Sequence, residues 1–210
     1  MSELKRSQLY GLHVAAGATM VDFGGWEMPI KYPTDIVAEH LYTRHFCSLF
    51  DVSHMGRILV DGPDAVPFLQ HVLSSNVMAL DLNQAQYAII PNENGGAVDD
   101  AYLYRFEEDR YLLVVNAANT DKDLAHLNEQ IKAYNAKMTV ITGDYAAIAV
   151  QGPKAKELLQ TLSGGEAVTE PVKNALNTLK FEGRTVRVAK TGYTGEPIGY
   201  EVYIESAEAA

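Results

Sequence analysis

The chain has 210 residues, 47% of them hydrophobic and 21% charged, a balance that excludes disorder as its main description. Seventeen Lys plus Arg stand against 27 Asp plus Glu, and the net charge of −10 argues against a general nucleic-acid binder and against adhesion to anionic membrane. Cys47 stands alone, so no internal disulfide can form, and no stretch approaches about 18 consecutive apolar residues; the chain reads as soluble and cytoplasmic, long enough for one large domain or two small interlocked ones.

The opening MSELKRSQLYG has neither the apolar run of a signal peptide nor the Arg-rich, acid-poor character of a transit peptide. Next comes Met20-Val-Asp-Phe-Gly-Gly-Trp-Glu-Met-Pro29, with the only Trp beside a Gly pair, and later Phe50-Asp-Val-Ser-His-Met55. Such interleaving of small polar and large apolar groups suits either the wall of a pocket for a flat organic ligand or a capped turn over a core Trp. His54 has no second His or Cys at ligand spacing, so a metal site is not expected.

Between these two segments, Ile36 to Phe46 places apolar residues at helical intervals behind Pro33-Thr34-Asp35, where Thr or Asp can cap a helix. Gly56 to Gly62 alternates like a strand, and Gly62-Pro63-Asp64 opens a helical pattern through Leu73, with Pro63 where its missing N–H costs least. Gln86 to Ile90, Ala97 to Phe106 and Arg110 to Val115 read as strands, the last two joined at Glu107-Glu108-Asp109. A helix starting at Asn119 or Thr120 runs to about Tyr134.

Within the second of those strands, Asn94-Gly-Gly-Ala-Val-Asp-Asp turns directly into two adjacent carboxylates. Neighbouring strand residues face opposite sides, so Asp100, Tyr102 and Tyr104 share one face while Asp99, Ala101 and Leu103 share the other. One acid therefore lines whatever lies over the tyrosine face, where a carboxylate can accept a hydrogen bond from a ligand amine or carry a proton. A solvated acidic turn is the plain alternative.

Ninety residues separate two similar stretches, Val60-Asp-Gly-Pro-Asp-Ala-Val-Pro-Phe-Leu-Gln70 and Val150-Gln-Gly-Pro-Lys-Ala-Lys-Glu-Leu-Leu-Gln160. Either two related α+β units share a strand, Gly-Pro turn and helix, or a good strand-to-helix connector occurs twice by chance. Leu176, Arg184 and Gly199 then begin three further strands, which points to antiparallel sheets with helices on one side. Lys190-Thr-Gly-Tyr-Thr-Gly-Glu-Pro-Ile-Gly-Tyr-Glu201 is neither a phosphate-cradling loop nor a dinucleotide fingerprint. Its acids disfavour phosphate and suit an amine-bearing heterocycle.

Taken together and in order, DFGGWEMPIKY, LFDVSHMG, NENGGAVDD, LLVVNAANTDKD, AVQGPKA and KTGYTGEPIGYE closely resemble the aminomethyltransferase, or T-protein, family of the glycine cleavage system. The resemblance runs from Met20 to Glu201 and covers the front part of that family. It implies an α+β fold of two interwoven subdomains with antiparallel sheets and helices, residues 1–210 forming a folate-binding domain. It also implies that the family's C-terminal β-barrel-like domain lies beyond Ser206-Ala-Glu-Ala-Ala210, which has the look of a helix opening.

The implied activity is transfer of the methylene of an aminomethyl-lipoyl H-protein to tetrahydrofolate with release of ammonia. The lipoylated H-protein would be the protein partner and tetrahydrofolate the co-substrate. Alternatives on the same scaffold are a tetrahydrofolate-dependent demethylase and a non-catalytic folate-binding module. The family's key carboxylate falls on Asp100, where it holds and polarises the pterin-side nitrogens. Folate-contacting positions carry over to Met55, Tyr87, Tyr104, Asn116, Tyr193 and Glu201.

Overall fold

The computed structural model of the chain describes residues 3–166, 168 and 173–209. Met1 and Ser2, which open the stretch MSELKRSQLYG, and Ala210, which ends the one read above as a helix opening, lie outside them; Ser206–Glu208 forms a single 3₁₀ turn. In chain order the elements are β1 (Lys5–Arg6), α1 (Tyr10–Ala15), β2 (Thr19–Phe23), β3 (Trp26–Lys31), α2 (Ile36–His45), β4 (Ser48–Asp51), β5 (Gly56–Asp61) and α3 (Ala65–Val72). There follow β6 (Gln84–Pro91), β7 (Ala97–Glu107), β8 (Arg110–Val115), α4 (Thr120–Gln130), β9 (Lys137–Val140), β10 (Tyr145–Gln151), α5 (Ala155–Leu162), β11 (Leu176–Phe181), β12 (Arg184–Ala189) and β13 (Gly199–Glu205).

The chain divides into two compact units. The first gathers Met1–His54, Gly143–Lys173 and Asn177–Ala210; the second gathers Met55–Thr142 and Asn174–Leu176. Within the second, one sheet has strand order β6-β7-β8-β5-β9, all neighbours antiparallel. On α3, Ala65, Phe68, Leu69 and Val72 recur at helical spacing and bury one stripe against Ile58, Val60, Leu103, Leu113 and Val115. Each such fully buried large side chain contributes roughly 1.5–3 kcal/mol. The core-facing residues of α4 are Leu127 and, one turn earlier, an acid, Asp123.

A second five-stranded sheet, β11-β12-β13-β10-β4, has its core in the first unit, built from Val150, Leu159, Val186, Val188, Tyr200 and Val202. A small sheet β1-β3-β2 completes that unit. In both large sheets the fourth strand leads through a Gly-Pro turn into a helix: β5 to α3 and β10 to α5. The two readings of the 90-residue repeat are thereby decided in favour of related units. Gly62 and Gly152 both sit at positive φ, 109° and 130°, and both press on carbonyl oxygens of a neighbouring segment, Asn135 and Phe46 respectively. Only glycine meets both demands.

Trp26 departs from the expectation of a turn over a core Trp. Gly24 and Gly25, at φ 60° and 84°, form the two-residue turn of a β2–β3 hairpin, and Trp26 starts the return strand half-exposed, with the Lys5 ammonium 5.9 Å from its ring. It is not a core residue.

Candidate functional site

The alternation of β7 is as the strand period requires. Asp99, Ala101 and Leu103 are buried on the core face, while Asp100 and Tyr102 are half-buried on the other. Tyr104 shares that second face and is 1% exposed. An aromatic row runs along it: Tyr87 on β6 meets its cross-strand partner Tyr102 edge-on at 5.8 Å, Tyr102 lies 5.8 Å from Tyr104, and Tyr104 stacks on Phe106 at 6.1 Å.

Register brings three of the predicted positions together. Ala101 on β7, Val115 on β8 and Gly56 on β5 are aligned across the sheet, so the next row along is Asp100, Asn116 and Met55. Gly56 leaves the room this end of the sheet needs, since any Cβ there would strike Val115 and Thr120 at the start of α4. Met55 is half-buried at that edge.

Asn116 ties the two acids. Its Nδ2 donates to Asp99 Oδ1 at 3.0 Å and to Asp100 Oδ1 at 2.7 Å, and its backbone N–H reaches Asp99 Oδ2 at 3.3 Å. Asn119 Nδ2 adds a second side-chain bond to Asp99 Oδ1, at 2.9 Å. Burial is the largest single influence on Asp99 and raises its pKa, but the hydrogen bonds from Asn116, Asp123, Asn119 and the Asp100 backbone outweigh it and leave the carboxyl below the usual range. The Tyr87 hydroxyl donates to Asp100, and that bond to a carboxylate raises the phenol's pKa. Tyr87 is 49% exposed, so its ring and the Asp100 carboxylate are reachable by a ligand.

The first unit holds the other two predicted positions. Gln151, 1% exposed at the end of β10, donates from Nε2 to the carbonyls of Thr191 and Tyr200 at 3.2 Å each and accepts from the Thr194 hydroxyl at 2.8 Å. Gly192 and Gly199 pack directly on it, where a Cβ would overlap the Gln151 amide. Loop 190–199 is thus clamped at both ends. It presents Tyr193, 69% exposed, while the Glu201 carboxylate is buried and accepts from the Thr191 hydroxyl.

A groove of about 710 Å³ also belongs to the first unit, lined among others by Met28, Pro29, Tyr32, Glu39, Arg44 and Asp51. Met28, Pro29 and Ile30 of the GGWEMPIKY segment do reach it, although Trp26 does not. His54 is buried with Phe23 edge-on at 5.5 Å, and among the described residues no group of three His, Cys, Asp or Glu is placed to hold a metal ion.

Sequence reasoning missed Asn119 and Asp123 as members of the acid cluster. Their signal was present in NAANTDKD, where an amide precedes a helix and a carboxylate falls in its first turn. What hid it was that first-turn acids are ordinary helix-dipole partners and are mostly solvent-facing.

Residues 9–210 match the family model described as GCVT N-terminal domain. The chain is 45% identical over 206 residues to an aminomethyltransferase of Thermus thermophilus, covering 98% of this chain and 58% of that protein. The aminomethyltransferase of Deinococcus deserti is likewise 45% identical, with 98% and 57% covered. The crystal structure of glycine cleavage system aminomethyltransferase T from Bartonella henselae superposes with a TM-score of 0.88 at 35% identity, covering 98% of this chain and 55% of that one. A heterotetrameric sarcosine oxidase from Corynebacterium sp. U-96 shares the fold alone, with a TM-score of 0.60 at 13% identity. The chain therefore spans less than two thirds of the length of these aminomethyltransferase relatives.

Proposed function

We propose, from the premise that this chain belongs to the GCVT N-terminal domain family, that it forms the tetrahydrofolate-binding part of an aminomethyltransferase. In this reading the whole protein transfers the methylene of an aminomethyl-lipoyl H-protein to tetrahydrofolate and releases ammonia. We place it in the cytoplasm on its lone cysteine; among the described residues no helix is long and apolar enough to cross a membrane.

The observation that carries the reading is the Asp100 carboxylate, held by the Asn116 amide beside the exposed edge of an aromatic row. Flat rings supply stacking area, and an acceptor-only carboxylate selects a ring bearing N–H donors over a phosphate. Tetrahydrofolate meets that description, its reduced pterin carrying amine N–H groups and supplying the nitrogens that take up the one-carbon unit. Asp100 would accept from those N–H groups and stabilise positive charge developing on them. Asn116 and Tyr87 would keep its oxygens aimed; for Tyr193 and Glu201, in the first unit, a folate contact is proposed on the family resemblance alone.

The test is Asp100→Asn in the full-length protein. Transfer to tetrahydrofolate is expected to fall about 10²-fold or more, with the unfolding transition retained. Unchanged turnover would remove Asp100 from the chemistry, and calorimetry finding no tetrahydrofolate binding by the unsubstituted protein would remove the folate reading itself.

A further inference from the structure

Asp123 sits where a hydrophobic residue belongs. It shares the inward stripe of α4 with Leu127, both are 0% exposed, and the helix packs against β7. Neither Asp123 oxygen receives a hydrogen bond from any donor among the described residues. What it meets instead is the side chain of Asp99, another carboxyl that is buried and already accepts from Asn116 and Asn119.

Two neighbouring carboxylates withdrawn from water cannot both stay ionised without cost, because neither has a donor to offer and each raises the cost of the other's charge. One proton between them turns the contact into a hydrogen bond and leaves the pair with a single charge.

We propose that Asp123 is a positioning residue for the site: its buried carboxyl shares one proton with Asp99, and that proton holds Asp99 as the fixed acceptor on which the Asn116 amide is anchored while it orients Asp100. The chain of contacts is continuous, from Asp123 to Asp99, through Asn116 Nδ2, to Asp100 and on to the Tyr87 hydroxyl. Because Asp99 only accepts, Asn116 must turn its NH₂ toward the acids, and the same NH₂ then meets Asp100. Loss of the shared proton sets two anions against each other and releases that anchor.

The charged groups acting on Asp123 are Asp99 and Asp100 on β7 and Lys122 on its own helix; His71 of α3 reaches the far end of that helix, at Gln130. Burial first, then Asp99, push the Asp123 carboxyl up to about 7, while Lys122 opposes them.

This rests on the reading of Asp100 as a folate-binding group, so the experiment separates the two. Carbon-13 NMR of aspartate carboxyls in the full-length protein is expected to show one resonance titrating near pH 7 that vanishes in Asp123→Asn. If no aspartate carboxyl titrates above pH 6, proton sharing is refuted whatever the protein binds.

Tetrahydrofolate affinity then tests positioning. Asp123→Asn, whose amide donates permanently to Asp99, should bind as tightly as the unsubstituted protein at pH 6 and lose the decline in affinity expected of the unsubstituted protein between pH 6 and 8. Asp123→Leu should bind about tenfold more weakly at pH 6. Equal affinities for the Asn and Leu variants, or an unaltered pH profile in Asp123→Asn, would overturn the positioning role. Absence of folate binding in the unsubstituted protein would overturn the functional reading and leave the NMR titration to decide the shared proton.

Discussion

Asp51 in the first unit and Asp123 in the second are both withdrawn from water, yet their surroundings differ in one respect. Asp51, its side chain 1% exposed, accepts from the Ser7 hydroxyl at 2.6 Å, from His13 Nε2 at 2.9 Å and from the Ser53 backbone N–H at 2.9 Å. Burial is the largest single influence on it and raises its pKa, but the bonds to Ser53, Ser7 and His13 together bring the carboxyl below its ordinary value. Asp123 is as deep and has no donor except a proton shared with Asp99, and it is pushed up to about 7. Donor supply, and not depth, sets the charge of a buried acid. The two units repeat one architectural plan and use it for opposite electrostatic ends.

The same substitution at both acids should separate them most widely. Asp51→Asn replaces an acceptor of three bonds by a group with one acceptor oxygen, and a cost of about 3 kcal/mol is expected in urea unfolding at pH 7. Asp123→Asn supplies a donor to Asp99 with no proton to take up, so at pH 7 it should be no less stable than the unsubstituted protein. Equal losses at the two sites would break the contrast.

Next in size is Gln151, the neutral member of the repeat where the second unit has Asp61. Gln151→Ala removes two hydrogen bonds that hold loop 190–199, at Thr191 and Thr194, and a third to the Tyr200 carbonyl just beyond it. A loss of about 2 kcal/mol is expected, with faster hydrogen exchange confined to loop 190–199. Asp61 makes no comparable tie among the described residues, so exchange spreading evenly over both units would contradict a local clamp.

Much of this was legible in the sequence because the relevant signals are local. Strand period alone placed Asp99 and Asp100 on opposite faces, and Gly62-Pro63 and Gly152-Pro153 marked the two strand-to-helix turns that the structure repeats. Family resemblance supplied Asn116 and Tyr87, which no periodicity would single out. The β2–β3 hairpin was not read, since a Gly-Gly turn beside a lone Trp also suits a loop over a core. Asp123 was invisible for a different reason. Its role depends on meeting Asp99, 24 residues earlier in the chain, and helix position alone predicts a solvated acid.

The smallest effect is also the most direct reading of the comparison: the two acids should give the units opposite responses to pH. Asp51 has a folded pKa below its unfolded one, so its stabilisation is fully present above about pH 4 and is lost as pH falls through the folded value. Asp123 has a folded pKa of about 7 against 3.8 unfolded, so its stabilisation is present below about pH 4 and is lost as pH rises toward and through 7. Asp99, lowered like Asp51, adds no slope above pH 4. For one proton the slope cannot exceed about 1.4 kcal/mol per pH unit, and about 1 is expected between pH 5 and 7. Native-state hydrogen exchange, corrected for the intrinsic pH dependence of exchange, reads each unit separately. Amides of β7 and β8 should lose protection across that window while those of β10 and β13 stay level, and Asp123→Asn should flatten the former. Parallel slopes in both units would mean that a single opening governs the chain and that the two acids do not act on their own surroundings.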